Sequence, residues 1–180
     1  MSTLKVNTMQ DTSGNAHPLG ITHAVTYRLN ATEEISGSII DPVTSWEIAD
    51  NSFDGKIGTW SAPSSGIFSF PATGIYALSV DIMMLHLNDS NAWCGISIKM
   101  TTDNGSNYSD VCEIQNQIVE ASGSGWQYTT GHTQAIIDVT NTSTDKFKMR
   151  FFSDGNESVR LQGETNRNAT SIKLIRLGDT

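Results

Sequence analysis

Apolar and polar residues alternate along most of this chain in short runs that are separated by turn-forming residues. A two-residue period is typical of β-strands that bury one face. The longest apolar run covers residues 75–87, and it alternates well from Tyr76 to Ile82. Gly74 precedes this run where a helix would favour a capping residue, so we predict a central strand rather than a helix.

Turn signals divide the rest of the chain into further short strands. Asn104-Gly105, a pair typical of hairpin turns, follows one of them. The whole pattern predicts about nine strands and no helix, which indicates an all-β protein built as a two-sheet sandwich or jelly roll. The other predicted strands cover residues 21–29, 46–48, 57–70 (with a break at 62–66), 93–100, 111–119, 130–139, 146–152 and 171–177.

Residues 1–19 differ from the rest of the chain. Their only sizeable apolar side chains are Leu4, Val6 and Met9, and turn-forming residues follow at 11–15. A segment of this kind buries too little surface to fold alone, so it packs on a partner or stays mobile. We expect an extended N-terminal attachment arm over residues 1–19 and a jelly-roll head over residues 20–180. Leu4, Val6 and Met9 are the candidates for anchoring the arm to a particle.

Composition and charge narrow the range of partners. The chain has 180 residues, with 11 basic and 19 acidic side chains and a net charge of −8. No cationic face of the size that nucleic acid requires is expected from this balance. No apolar run reaches the ~18–20 residues of a membrane helix, so we expect no membrane insertion. The basic residues at 146, 148 and 150 alternate with apolar ones, which predicts a solvated strand face opposite a core face.

The sequence offers no catalytic constellation. Its four histidines fall at no metal-ligand spacing, and it has neither a nucleophile elbow nor a phosphate loop. We therefore assign no catalytic or metal residue and expect no enzyme. The only cofactor left open is weakly bound calcium near Asp103 and Asp110, in an oxygen-rich loop. Cys94 and Cys112 could pair if their strands are neighbours, but we expect reduced, structural thiols.

Aromatic residues are the more useful chemical signal. Most of those between residues 46 and 76 are expected in the core, because aromatic side chains dominate sandwich interiors. Trp93 and Trp126 sit beside polar loops, and they are the candidates for stacking on a glycan. The alternative for both is packing of the loops themselves.

One stretch resembles a known family. Residues 66–76 read Gly-Ile-Phe-Ser-Phe-Pro-Ala-Thr-Gly-Ile-Tyr, close to the Gly-x-Phe-x-x-Pro-x-x-Gly-x-Tyr signature of jelly rolls related to tumour necrosis factor (TNF) and the complement component q head. Residues 169–178 look like that family's closing strand without its usual Phe-x-Gly. The resemblance implies a TNF-like jelly roll that forms homotrimers, with side chains of one sheet meeting at the threefold axis. It makes Phe68, Tyr76 and Phe151 candidates for that interface.

Residues 2–14 look similar to the start of virion fibre and structural proteins of tailed phages. Together with the jelly roll, this implies a non-enzymatic bacteriophage structural protein located in the virion. It would be a trimeric knob on a tail fibre or a capsid decoration, attached to other virion proteins and contacting host surface polysaccharide. The alternatives are a monomeric carbohydrate-binding module and a glycan-degrading enzyme on the same scaffold.

Overall fold

The computed structural model describes residues 9–10, 16–17, 20–35, 37–87, 91–119, 125–154 and 159–180. All regular structure in these ranges is β-strand. They contain no helix that is long and apolar enough to cross a membrane. The strands are β1 (Met9–Gln10), β2 (Ala16–His17), β3 (Ala24–Leu29), β4 (Glu33–Ile35), β5 (Ile39–Ile40), β6 (Trp46–Ile48), β7 (Ile67–Ser69), β8 (Gly74–Leu87), β9 (Asn91–Thr101), β10 (Ser109–Ile118), β11 (Trp126–Val139), β12 (Lys146–Ser153), β13 (Val159–Leu161) and β14 (Ser171–Gly178).

The strands form two antiparallel sheets that pack face to face. The first sheet has the order β10-β9-β12, and β5 and β7 pair with successive parts of the free edge of β12. The second has the order β11-β8-β14-β3-β6, with β13 continuing beside β8 and β4 beside β13. β1 and β2 pair separately with each other. The predicted all-β sandwich is confirmed.

Alternation along the strands builds the core between the sheets. On β8 every second side chain from Tyr76 to Met84 is buried, and the intervening ones lie on the outward face of the second sheet. On β12 the apolar residues at 147, 149 and 151 are fully buried, opposite basic residues on the outward face. The predicted central strand and the predicted two faces of β12 are both correct.

An aromatic cluster joins the two sheets inside the sandwich. The Phe68 ring stacks on Phe147 with ring centroids 4.4 Å apart. Edge-to-face contacts link Phe68 to Tyr27 at 5.0 Å and to Trp46 at 5.5 Å. Since Phe68 is fully buried, this cluster is part of the protomer's own core.

The second glycine of the signature, Gly74, is required for steric reasons. Gly74 has φ of 137°, a conformation that side-chain-bearing residues rarely adopt. A Cβ atom there would lie 2.3 Å from the carbonyl oxygen of Gly178. Gly74 therefore lets the corner that begins β8 approach the closing strand.

The predicted strand boundaries were wrong in two respects. Of the predicted strand 57–70, only Ile67–Ser69 is a strand, because turn residues occupy 62–66 and the segment before them has only an isolated bridge at Ile57. The short strands β4, β5 and β13 were missed. Two or three residues are too few to display an alternating pattern.

The hairpin between β9 and β10 has the turn that Asn104-Gly105 predicts, with φ of 60° and 96°. Asp103 organises this turn through its carboxylate. Its oxygens accept hydrogen bonds from the Thr101 hydroxyl and from the Asn107 backbone and side-chain amides. These bonds lower the pKa of Asp103 to about 2.

Phe68→Ala should destabilise the fold strongly, because it leaves a cavity between the two sheets. We expect a loss of about 3–5 kcal/mol in the free energy of unfolding, measured by denaturant titration. Phe53→Ala is the matched control, since Phe53 is fully exposed, and its effect should stay within about 0.5 kcal/mol. Equal effects of the two variants would contradict the packing described here.

Asp103→Asn should make stability less dependent on acid pH. A carboxylate with a depressed pKa contributes its stabilisation above its unfolded pKa of about 3.9 and loses it as pH falls through the folded value. With the folded pKa of Asp103 at about 2, the wild-type protein should be the more stable one at pH 5–7. That advantage should shrink between about pH 4 and pH 2. Thermal unfolding across this range measures it, and a constant difference would contradict the role of Asp103.

Candidate functional sites

The residues predicted for a trimer interface are not on the surface. Phe68, Tyr76 and Phe151 are all fully buried within one protomer. Tyr76 also donates its hydroxyl hydrogen to the Ala72 carbonyl at 2.8 Å. These residue assignments were wrong, because each side chain lies on the inward face of its strand, where no second subunit can contact it.

The outward face of the second sheet has an apolar end instead. Ile136 of β11 lies opposite Ala77 of β8, which lies opposite Ile175 of β14, and Ile175 lies opposite Ala24 of β3. This row crosses four adjacent strands. Ile136 and Ile175 are exposed, and so is Leu177 further along β14. We call this surface, formed by Ala24, Ala77, Ile136, Ile175 and Leu177, the apolar row.

A charged network occupies the middle of the same face. The Asp81 carboxylate lies 2.8 Å from Lys173 Nζ and 2.9 Å from His132 Nδ1. The hydrogen bond from Lys173, with a smaller contribution from His132, holds the pKa of Asp81 below its ordinary value. Each charge in this network therefore has a partner within the protomer.

An aromatic cavity of about 360 Å³ lies at the other end of this face, beside Trp126 and Tyr128. Trp126 is 38% exposed, and the Arg160 guanidinium lies over its ring at 4.6 Å from the centroid. Arg160 also forms an ion pair with Glu34, with its Nε 2.7 Å from the carboxylate. Trp126, one of the two residues predicted to stack on a glycan, is thus partly exposed beside charged groups.

Trp93 lies on the outward face of the first sheet. It is 43% exposed and packs on Phe152, with ring centroids 5.8 Å apart. A cavity of about 240 Å³ adjoins it and is also lined by Gln115 and Arg150. The two tryptophans thus belong to separate surfaces on opposite sheets.

The loop suggested for calcium has its carboxylates engaged by protein groups. Asp103 caps the hairpin turn, and Asp110 pairs with Lys99 at 3.0 Å. Within the described ranges, no group of three or more His, Cys, Asp or Glu residues is arranged to hold a metal ion.

The two cysteines lie on neighbouring strands but out of register. Cys94 of β9 is opposite Asn116, whereas Cys112 of β10 is opposite Ile98, and both are free thiols. Burial raises the pKa of the Cys94 thiol to about 12 and also raises that of Cys112. Both residues act as packing groups rather than as nucleophiles.

The predicted anchor residues lie largely outside the described ranges. This holds for Leu4 and Val6, while Met9 is in β1 and pairs with His17. Sequence reasoning missed the apolar row. The sequence did contain a signal for this surface. Ile75 and Ala77 of β8 and Ile136 of β11 are apolar although they occupy the positions between buried residues, which are expected to be polar on a solvated face.

The comparisons with known proteins bear on the fold. No protein-family model matches the sequence, and no curated protein matches it significantly. Among solved structures, Eiger TNF from S. frugiperda aligns with a TM-score of 0.63 at 15% identity, covering 89% of this chain and 96% of that one. Murine APRIL aligns with a TM-score of 0.51 at 11% identity, covering 86% and 98% respectively.

Identities this low show a shared fold and nothing finer. They lend no support to the similarity with phage proteins. The predicted architecture itself is confirmed: the described strands form a TNF-like jelly roll.

Proposed function

We propose that this chain is a non-enzymatic structural protein whose jelly-roll head assembles as a homotrimer. The observation that carries the proposal is the apolar row on the outward face of the second sheet. Ile136, Ile175 and Leu177 expose large aliphatic side chains there, and the small Ala77 and Ala24 lie between them in register. Such a surface gains free energy when a second copy covers it.

Burial of these side chains favours assembly. Fully burying one aliphatic side chain contributes about 1.5–3 kcal/mol, and a closed trimer repeats each contact three times. The charged network in the middle of this face opposes assembly only weakly. Asp81, His132 and Lys173 are already paired within the protomer, so an interface that covers them leaves no charge without a partner.

The finer proposal is a bacteriophage virion protein that forms a knob on a tail fibre or on the capsid exterior. It is supported by the similarity of residues 2–14 to phage structural proteins. In this proposal residues 1–19 attach the head to other virion proteins through Leu4, Val6 and Met9. An acidic net charge of −8 is compatible with display in solution outside a cell.

Contact with host surface glycans is the remaining part of the proposal. The exposed indole rings of Trp93 and Trp126 support it, because sugar rings stack on accessible aromatic faces. The same rings also favour a second candidate function, a monomeric carbohydrate-binding module. Oligomeric state distinguishes the two. A glycan-degrading enzyme is the third candidate, and new reducing ends released from host polysaccharide would favour it.

Light scattering tests the assembly. The wild-type protein should have a mass near three times its protomer mass of 19.5 kDa. Ile136→Asp should reduce the mass to that of a monomer without unfolding the head, because the change inserts a charge into the apolar row at a side chain that is 65% exposed. A monomeric wild-type protein would overturn the trimer.

The matched control for this variant is Ile39→Asp. Ile39 is 56% exposed and lies on β5 of the first sheet, away from the apolar row. It should leave the mass unchanged. Dissociation by both substitutions would show that added charge, rather than its position, disrupts the assembly.

Deletion of residues 1–19 tests the attachment. The truncated protein should remain a trimer in light scattering and be absent from phage particles purified after infection. Quantitative mass spectrometry of the particles measures this. Incorporation at the normal copy number would contradict the anchoring role of Leu4, Val6 and Met9.

A further inference from the structure

A cation without an ion pair or hydrogen bond of its own lies on the outward face of the first sheet. Among the described residues, Arg150 is the one partly buried Lys or Arg whose side chain has neither an ion pair nor a hydrogen bond. Its Nε atom is buried without a partner. The other basic residues of β12 differ, since Lys148 pairs with Asp41 at 2.7 Å and Lys146 donates to Asn104.

Packing holds Arg150 in place without using its hydrogen-bonding groups. The guanidinium lies over the Phe152 ring, 4.9 Å from its centroid. The Phe152 ring in turn lies against Gly95, where a Cβ atom would come within 2.9 Å of the ring. Glycine at this position therefore lets the aromatic ring cover the sheet and support the arginine from below.

Neighbouring polar groups do not satisfy the guanidinium. Ser97, directly opposite Arg150 on β9, is fully buried, and its hydroxyl interacts with Asp110 rather than with Arg150. Asp110 is the acidic residue whose charge interacts with Arg150, but it forms its ion pair with Lys99 at 3.0 Å. The donors of Arg150 are thus available to a ligand.

The cavity beside Arg150 combines three kinds of group. Trp93 supplies an exposed aromatic ring, Arg150 a cation, and Ser38 and Gln115 supply hydroxyl and amide groups. Asp154 also lines the cavity, so the site is not uniformly positive. A simple anion would use only the arginine, whereas a sugar that carries a carboxylate matches the aromatic, cationic and hydrogen-bonding groups together.

We infer that this cavity binds a carboxylate-bearing sugar residue, such as a hexuronate of an acidic polysaccharide. The carboxylate contacts Arg150, the sugar ring stacks on Trp93, and Gln115 and Ser38 contact ring hydroxyls. The inference deepens the glycan contact proposed above and rests on it for the source of the ligand. It does not depend on the oligomeric state, because the apolar row lies on the opposite sheet.

Titration with methyl β-D-glucuronide, monitored by NMR of the tryptophan indole N–H groups in ¹⁵N-labelled protein, tests the site. Trp46 and Trp60 are buried and donate their indole hydrogens to Val43 and Ile57 carbonyls, so their signals act as internal references. The Trp93 signal should shift and saturate. Neutral methyl β-D-glucoside should bind at least tenfold more weakly.

Arg150→Gln should abolish the preference for the glucuronide. Arg160→Gln is the matched control, because Arg160 also lies over an aromatic ring but is already paired with Glu34. It should leave the preference unchanged. Trp93→Ala, which keeps the cation and removes the stacking surface, should weaken glucuronide binding at least tenfold and serves if Arg150→Gln does not fold. Because this variant lacks the Trp93 indole signal, its affinity is compared with that of the wild-type protein by isothermal titration calorimetry.

Several outcomes would overturn the inference. These are equal affinity for the two glycosides, a shift confined to the Trp126 signal, and equal effects of the two arginine substitutions. Binding of N-acetylaspartate as tightly as the glucuronide would replace the sugar with an acidic peptide. Light scattering on the same samples separates this site from the assembly: a monomer that binds overturns only the trimer, and a trimer that does not bind overturns only this site.

Discussion

The two-residue repeat of the β-strand is the constraint on which the rest of this molecule depends. Each strand can direct only half of its side chains inward, and the large aromatic residues of the signature, Phe68, Phe70 and Tyr76, are all on the inward half. Their rings join the two sheets with contacts such as that of Phe68 with Tyr27, whose ring centroids are 5.0 Å apart. Every recognition function is therefore left to the outward faces and to the edges of the sheets.

The outward faces of the two sheets differ in the kind of contact that their side chains can make. The second sheet presents an apolar end and a charged middle whose members neutralise one another, which suits contact with an identical copy. The first sheet presents basic residues, and among those that the structure describes Arg150 alone has neither an ion pair nor a hydrogen bond. Because the core lies between these two surfaces, a substitution on one is not in contact with the other. This independence is what makes the matched variants of Ile136 and Ile39, and of Arg150 and Arg160, informative.

The strands could be predicted from the sequence wherever apolar and polar residues alternate over enough positions to form a clear pattern. The central strand β8, the two faces of β12 and the turn at Asn104-Gly105 were all predicted correctly. β4, β5 and β13 were not, since strands of two or three residues carry too little pattern. The interface residues were predicted wrongly for a different reason. A family resemblance indicates that one sheet forms the contact, but the direction of a side chain follows from register, which places Phe68, Tyr76 and Phe151 inside. The lack of a partner for Arg150 is likewise a property of three-dimensional neighbours.

The pairing of β3 with β14 fixes where a tether can act. Ala24 lies opposite Ile175, which lies opposite Ala77, so residues 20–24 and 175–178 meet at the end of the sandwich where β8 begins. Trp93 and Trp126 lie near the end where β8 finishes, at Leu87. Across the twelve residue steps from Ile75 to Leu87 an extended strand spans roughly 40 Å. A head attached through its N-terminal segment would consequently have its attachment point at one end of the sandwich and both tryptophans near the opposite end.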